Sequence, residues 1–180
     1  IMSQRPMPFK EFDERKLAKP ILKTPLHNFV ESFVDNVIRD RVTIIEKGSI
    51  VYCDLLFGQA EHSGIYVGSD LIVHLDGTGN IELVTPKEFL QRLNGFNSAI
   101  SIYSSCIGTR SIGSDMIAKR AFSMVGKTRE YNMITNNCHQ FTSGCITGNF
   151  ENSDNFLWML KNTASKVLNV NDWRVWDKDY

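Results

Sequence analysis

Apolar residues first recur at helical spacing and then alternate with polar residues in a series of short segments. Between residues 25 and 39 they repeat every three or four positions, which predicts an amphipathic helix. Thr24-Pro25 supplies an N-cap and a first helical residue for it. Short β-rich stretches then predict strands at 42–45, 49–55, 63–67, 71–75, 81–84 and 98–104, with glycine-containing turns between most of them.

Helical spacing returns in the second half of the chain. It predicts a short helix at 86–93, a helix at 114–125 that ends at Gly126, and a third helix that begins near Cys138. Antiparallel strands with helices before and after them are typical of an α+β fold, in which helices pack on an antiparallel sheet. We expect a polar N-terminal extension at 1–24, a single domain at 25–155, and a C-terminal extension at 156–180 that packs on the domain.

Composition narrows the class of protein. Of the 180 residues, 42% are apolar and 22% are charged, which is typical of a globular domain. The 20 basic and 20 acidic residues cancel, which gives no support for a nucleic-acid partner or for attraction to anionic lipids. Four cysteines without a CxxC pair favour a reducing compartment. With no secretory signal and no run of about 20 apolar residues, the expected location is cytoplasmic.

Two histidines and one cysteine form the candidate chemical site. A turn at 68–70 would fold 63–67 and 71–75 into a hairpin and bring His62 and His74 to the same end. Cys138 follows the capping residues Asn136 and Asn137, and a thiol in the first turn of a helix is favoured as thiolate. The hypothesis is that Cys138 attacks a carbonyl, His62 acts as base, and His74 orients His62, while helix amides bind the oxyanion. Taken singly, each could be an ordinary surface histidine or buried cysteine.

The motifs around these residues resemble the lecithin–retinol acyltransferase family. The similarity lies in His-Ser-Gly-Ile-Tyr-Val-Gly from His62, Val-His-Leu around His74, Gly-Lys-x-x-x-Tyr from Gly126, and Asn-Cys-x-x-Phe around Cys138, and it covers about 47–147. The family is a circularly permuted branch of the NlpC-type, papain-like thiol enzymes. The resemblance implies a nucleophilic Cys138, a basic His62 and an orienting His74. The family usually has Asn-Cys-Glu-His-Phe, whereas this chain has His139 and Gln140 after the cysteine.

By this resemblance, 25–155 is a catalytic domain that moves an acyl group from a glycerophospholipid, through Cys138, to water or to an amine or hydroxyl acceptor. It implies no cofactor, and peripheral contact with a membrane is compatible with it. Two alternatives stay open. The same thioester chemistry serves a cysteine amidase or isopeptidase, and the changed residues after Cys138 are compatible with a catalytically silent binding module.

Further residues have candidate roles near the site or in the core. Candidates for the cleft lining are Tyr66, Tyr52, Asn137, His139 and Gln140. For His139 we favour an exposed position, because adjacent residues on a helix point in different directions. Cys53, Cys106 and Cys145 are expected to be free core thiols. A zinc site of Cys138, Cys145, His62 and His74 is an alternative, although the short ligand pairs of structural zinc are absent, so no metal is expected. Three tryptophans are expected to be packing anchors or an apolar surface for an acyl chain: Trp158, Trp173 and Trp176.

Overall fold

The protein is built around one antiparallel sheet. The computed structural model describes residues 41–55, 60–91, 101–132 and 137–178. The N-terminal extension and the helix predicted at 25–39 lie outside the described residues. The strands are β1 Ile50–Leu55, β2 Ala60–Gly68, β3 Leu71–Leu75, β4 Ile81–Val84, β5 Ile102–Ile107, β6 Arg110–Ser111 and β7 Asp172–Val175. The helices in the described ranges are α1 Pro86–Leu90, α2 Asp115–Phe122, α3 Cys138–Thr147 and α4 Leu157–Leu168.

All neighbouring strands pair antiparallel in the order β4-β3-β2-β1-β5-β6, and β7 pairs with β5. The α+β class and the antiparallel sheet are therefore confirmed. The strand predicted at 42–45 is wrong: only Val42 forms a bridge, to Trp176, and Ile44 is 82% exposed, so the chain leaves the sheet at once. Of the strand predicted at 98–104, residues 98–100 lie outside the described residues, and the described strand runs from Ile102 to Ile107, beyond the predicted end.

Alternation along the strands creates two apolar layers, one on each face of the sheet. On one face Ile50, Ile65 and Val73 pack against Phe141 of α3 and Leu160 of α4. On the other face the second layer contains Phe89 of α1, together with Val51, Cys53, Ile72, Val84 and Trp176. The three longer helices thus cover one face, and α1 covers part of the other.

The segment after residue 155 is integrated into the domain. Helix α4 packs on α3, and β7 extends the sheet in register with β5, so that Tyr103 lies opposite Val175. Trp176 is buried and Trp173 packs edge-on against Tyr52, whereas Trp158 is 64% exposed and is not a packing anchor. Within the described ranges no helix has the length and apolar character needed to cross a membrane.

Candidate active site

The hairpin of β2 and β3 positions the two histidines. Ser69 and Asp70 both have positive φ, 52° and 57°, as the tight turn of a two-residue hairpin requires. The turn brings His62, near the start of β2, beside His74, near the end of β3. The His62 Nε2 and His74 Nδ1 atoms lie 2.7 Å apart, and the two rings are nearly perpendicular. The contact that we expected between these imidazoles is therefore present.

Packing fixes the orientation of the histidine pair. The ring of Phe89 lies 4.9 Å from the His62 ring and 5.7 Å from the His74 ring, measured between centroids. His74 is fully buried, and His62 is 9% exposed. Because α1 closes over both rings with an aromatic side chain, their mutual hydrogen bond lies in an apolar environment, where it is stronger than in water.

Gly64 makes room for this arrangement. A Cβ at this position would stand 2.7 Å from the Val73 carbonyl oxygen, 2.9 Å from Ile72 Cγ2 and 3.2 Å from His74 Cβ. Any side chain there would push β3 away from β2. The glycine two residues after His62 therefore keeps the two histidine-bearing strands at their observed spacing.

The second half of the site is the start of α3. The Asn137 side chain accepts hydrogen bonds from the amides of His139 and Gln140, at 3.0 and 3.2 Å, so it is the N-cap of the helix. Its Nδ2 donates to the Asn155 carbonyl at 2.7 Å, which ties the helix start to the segment before α4. The predicted helix start at Cys138 is confirmed, and Asn137 acts as a cap.

The Cys138 thiol is enclosed. Only 3% of the residue is exposed, and its sulfur donates to the Glu61 carbonyl at 3.9 Å. Burial raises the pKa of the thiol to about 11, and the smaller, opposite effect of the nearby Ser63 amide and hydroxyl and of the His139 and Cys138 amides does not offset it. Our expectation that the helix start would favour the thiolate is wrong for this arrangement, because desolvation is the larger effect.

The thiol and the imidazoles approach β2 from its two faces. Ser63 points toward α3, where its hydroxyl contacts His139 and Thr142, whereas the His62 ring points toward Phe89 on the opposite face. The sulfur is thus bound by Glu61 and Ser63, the two residues that flank His62. Cys53 lies opposite His62 in register and is close enough for charge on Cys138 to raise the Cys53 pKa.

His139 corrects a second expectation. Its side chain is 5% exposed, not solvent-facing, and its Nδ1 lies 2.9 Å from Ser63 Oγ. Burial lowers the pKa of His139 to about 4, so the ring is neutral at physiological pH. The physical reason is that α3 is buried on all sides, so that adjacent residues at its start are both enclosed.

The other residues predicted near a cleft make specific contacts. The Tyr52 ring stacks on Tyr103, and its hydroxyl lies 3.0 Å from Lys161 Nζ. The half-buried Tyr66 packs edge-on against Trp176. Gln140 Nε2 donates to the Asn152 carbonyl and so holds the segment that follows α3.

Metal chemistry has no support among the described residues. There, no group of three or more His, Cys, Asp and Glu side chains could hold a metal ion. The four cysteines are free and buried, and Cys145 packs in the apolar core beside Phe141, so the alternative zinc set is not assembled.

Sequence reasoning missed three contributors to the site: Ser63, the Glu61 carbonyl and Phe89. A signal existed for Ser63, because strand alternation places the residue after His62 on the opposite face, toward the predicted helices. No comparable signal marks Phe89, since its contact with the histidines depends on how α1 folds back over the sheet.

Comparisons with known proteins find one family and a set of viral relatives. A family model described as lecithin retinol acyltransferase matches residues 43–151, which is more than half of the chain. The genome polyproteins of avian encephalomyelitis virus strains Van Reokel and L2Z are 29% and 28% identical to the chain over 115 residues. The matched region is 63% of this chain but 5% of each polyprotein, so the chain spans a small part of these relatives. No solved structure matches the chain.

Proposed function

Because this chain belongs to the lecithin retinol acyltransferase family, we propose that it is a cysteine-dependent acyltransferase or hydrolase with Cys138 as its nucleophile. Membership of the family supports thiol acyl chemistry in general. The substrate and the role of each residue are inferences from this chain's own geometry. We infer further that the fold is a circularly permuted papain-like one, since both histidines precede the cysteine along the chain and the cysteine begins a helix against the sheet.

One observation carries the proposal. The 2.7 Å hydrogen bond between His62 and His74 orients the imidazole of the residue between Glu61 and Ser63, and the Cys138 sulfur lies next to these two residues on the other face of β2. Nucleophilic catalysis by a thiol requires a base that a second polar group orients. Because burial raises the pKa of the thiol to about 11, ionisation needs such a base.

The proposed first step requires the thiol to leave the Glu61 carbonyl, and the sulfur and the His62 ring, which lie on opposite faces of β2, to come into contact at the start of this strand. His62 then takes the proton of the Cys138 thiol. The sulfur bonds to the carbonyl carbon of an acyl ester, and the oxyanion accepts a hydrogen bond from the Cys138 amide at the start of α3, since the next two amides are engaged by Asn137. The ester C–O bond then breaks, and the leaving alcohol takes the proton from His62. The product is a thioester on Cys138 and, for a glycerophospholipid donor, a lysophospholipid.

In the second step, water, an amine or a hydroxyl acceptor gives a proton to His62 and attacks the thioester carbonyl. The C–S bond breaks, the acyl group leaves on the acceptor, and the sulfur recovers its proton. His74 keeps His62 in one tautomer through both steps. Contact with a membrane surface follows from the proposal, because phospholipid donors are presented there.

The test is intact-protein mass spectrometry after incubation with phosphatidylcholine vesicles. We expect an acyl-sized mass gain on wild type and none on Cys138→Ala. Cys145→Ala is the matched control, since it removes a buried thiol from the same helix and should keep the adduct. An adduct that persists on Cys138→Ala excludes Cys138 as the acylated residue. If an amide substrate labels wild type and phosphatidylcholine does not, the same residues would instead form the active site of an amidase.

A specific observation favours one alternative, a catalytically silent binding module. A thiol whose pKa is raised to about 11 and which donates to a backbone carbonyl is in an unreactive state. This alternative predicts no adduct with any acyl donor, and alkylation of Cys138 no faster than that of an ordinary thiol.

A further inference from the structure

The hydrogen bonds of Ser63 connect the Cys138 sulfur to a histidine outside the His62–His74 pair. Ser63 Oγ lies 2.9 Å from His139 Nδ1 and 3.1 Å from Thr142 Oγ1, and the same hydroxyl is near enough to the Cys138 sulfur to lower the pKa of the thiol against the larger effect of burial. Thr142 donates its own hydrogen to the Cys138 carbonyl at 2.8 Å. One serine hydroxyl therefore lies at the junction of three polar groups on the first turns of α3.

Ser63 can donate to only one of these three groups at a time. Ser63 carries one hydroxyl hydrogen, and the sulfur, His139 Nδ1 and Thr142 Oγ1 are all able to accept it. While Cys138 is a thiol, it donates to the Glu61 carbonyl and the serine hydrogen is available to His139. Once Cys138 is a thiolate, the charged sulfur is the strongest acceptor and takes the serine hydrogen.

We propose that Ser63 and His139 form a relay of donors that stabilises the Cys138 thiolate, with both residues acting as positioning residues. In the thiolate state the ring hydrogen of neutral His139 resides on Nδ1 and is donated to Ser63 Oγ, and the Ser63 hydrogen is donated to the sulfur. In this change of tautomer Nε2 releases its proton to water and Nδ1 takes one from water, so the number of protons on His139 stays the same. The relay rests on the proposed function only in that a thiolate is needed for catalysis.

Burial supports the relay. His139 is 5% exposed and Ser63 is fully buried, so water does not compete for these hydrogen bonds as it would at the surface. The titratable side chains that interact with Cys138 are Cys53 on β1 and Tyr131 in the segment before α3, and His139 on α3 contacts Ser63; the ring of His62 on β2 faces the other side of the sheet. Ser63 is uncharged, so its replacement changes the hydrogen bonding of the sulfur without changing the charge of this set.

The experiment measures the rate at which iodoacetamide alkylates Cys138 between pH 7 and pH 10, followed by peptide mass spectrometry. This rate follows the thiolate fraction. A hydrogen bond to a charged group is worth enough that Ser63→Ala should slow alkylation at pH 8 by about tenfold or more. Ser143→Ala is the matched control: it removes a buried hydroxyl of α3 that donates to Asp154, and should leave the rate unchanged.

His139 is tested by two substitutions of different chemistry. His139→Leu removes the donor and should slow alkylation, whereas His139→Asn places an amide N–H close to the position of Nδ1 and should restore most of the rate. Equal rates in Ser63→Ala and Ser143→Ala would overturn the relay. If His139→Leu and His139→Asn slow alkylation equally, in proteins with the same melting temperature, His139 has only a packing role. This result would also overturn the relay.

A measurement on the unmodified side chains covers the case in which a variant does not fold. Nitrogen-15 NMR of the His139 ring should show the hydrogen moving to Nδ1 as pH rises through the Cys138 titration in wild type, and no such change in Cys138→Ala. A constant His139 tautomer in wild type contradicts the relay. Neither readout uses an acyl donor, so a failure to form an acyl adduct would count against the proposed function alone.

Discussion

Acidification should destabilise this fold through His139. Burial lowers the pKa of this side chain to about 4 in the folded protein, against about 6.5 in an unfolded chain. Between these two pH values the unfolded chain holds a proton that the folded chain does not, so falling pH favours unfolding. The contribution to stability is complete above pH 6.5 and is lost progressively as pH falls toward 4.

The magnitude follows from the two pKa values. Between pH 7.5 and pH 4.5 the free energy of unfolding should fall by about 2.5 kcal/mol because of His139 alone. Urea unfolding followed by tryptophan fluorescence measures this at both pH values in wild type and in His139→Asn. Wild type should lose about 2.5 kcal/mol more than the variant. All other residues are the same in both proteins, so their contributions largely cancel in the difference.

Ser104→Ala is the control, because it removes a buried hydroxyl whose hydrogen-bond partner, Ser111 Oγ, does not titrate, and its pH dependence should equal that of wild type. If wild type and His139→Asn lose the same stability on acidification, His139 accepts a proton in the folded state as readily as in the unfolded state. The reasoning from its burial would then be refuted.

Three further substitutions test the packing of the site. Gly64→Ala should cost about 1–3 kcal/mol by urea unfolding, because its Cβ would stand 2.7 Å from a β3 carbonyl oxygen, and an unchanged midpoint would contradict that steric argument. Phe89→Ala should cost about 3–5 kcal/mol in the same assay and increase solvent exchange at the His62 and His74 rings, whereas unaltered ring signals would show that Phe89 does not hold them. Asn137→Ala should cost about 1 kcal/mol through the lost cap, and a thermal melt identical to that of wild type would exclude the cap.

The parts of the site governed by local pattern were predictable from sequence. The hairpin followed from alternation on both sides of a two-residue turn at Ser69 and Asp70, and it placed His62 and His74 together. The start of α3 followed from a capping side chain before an apolar pattern. Both are short-range features, since the hydrogen bonds that define them join residues close in the chain.

The burial of His139 was not predicted, because the directions of adjacent residues on a single helix do not show which other elements pack around that helix. In the fold, the sheet, α4 and the segment after α3 surround the helix, and every residue from Cys138 to Ile146 is buried. A signal was present: α3 contains no Asp, Glu, Lys or Arg, and a helix without a charged face is typically a buried one. The same surroundings bury the Cys138 thiol, so its pKa is raised and not lowered as expected. The cost of desolvation depends on the whole tertiary environment, which the local sequence does not show.

The strand β7 was not predicted either. Asp172–Val175 is four residues long and contains two charged side chains, so its alternation is too short to stand out. Its place in the sheet is determined by pairing with β5, whose residues lie far away in sequence. Pairing between strands that are distant in sequence does not produce a recognisable pattern in the local sequence.

The pairing of β7 brings the two ends of the described domain to one point. The Val42 amide donates to the Val175 carbonyl at 3.0 Å, and the Asp177 amide donates to the Val42 carbonyl at 2.9 Å. A polypeptide that continued on both sides would enter and leave the domain side by side, so the domain could be inserted into a longer chain without separating the flanking parts. During synthesis, β5 could pair with Asp172–Val175 only after that segment had left the ribosome, so the sheet would be complete only then.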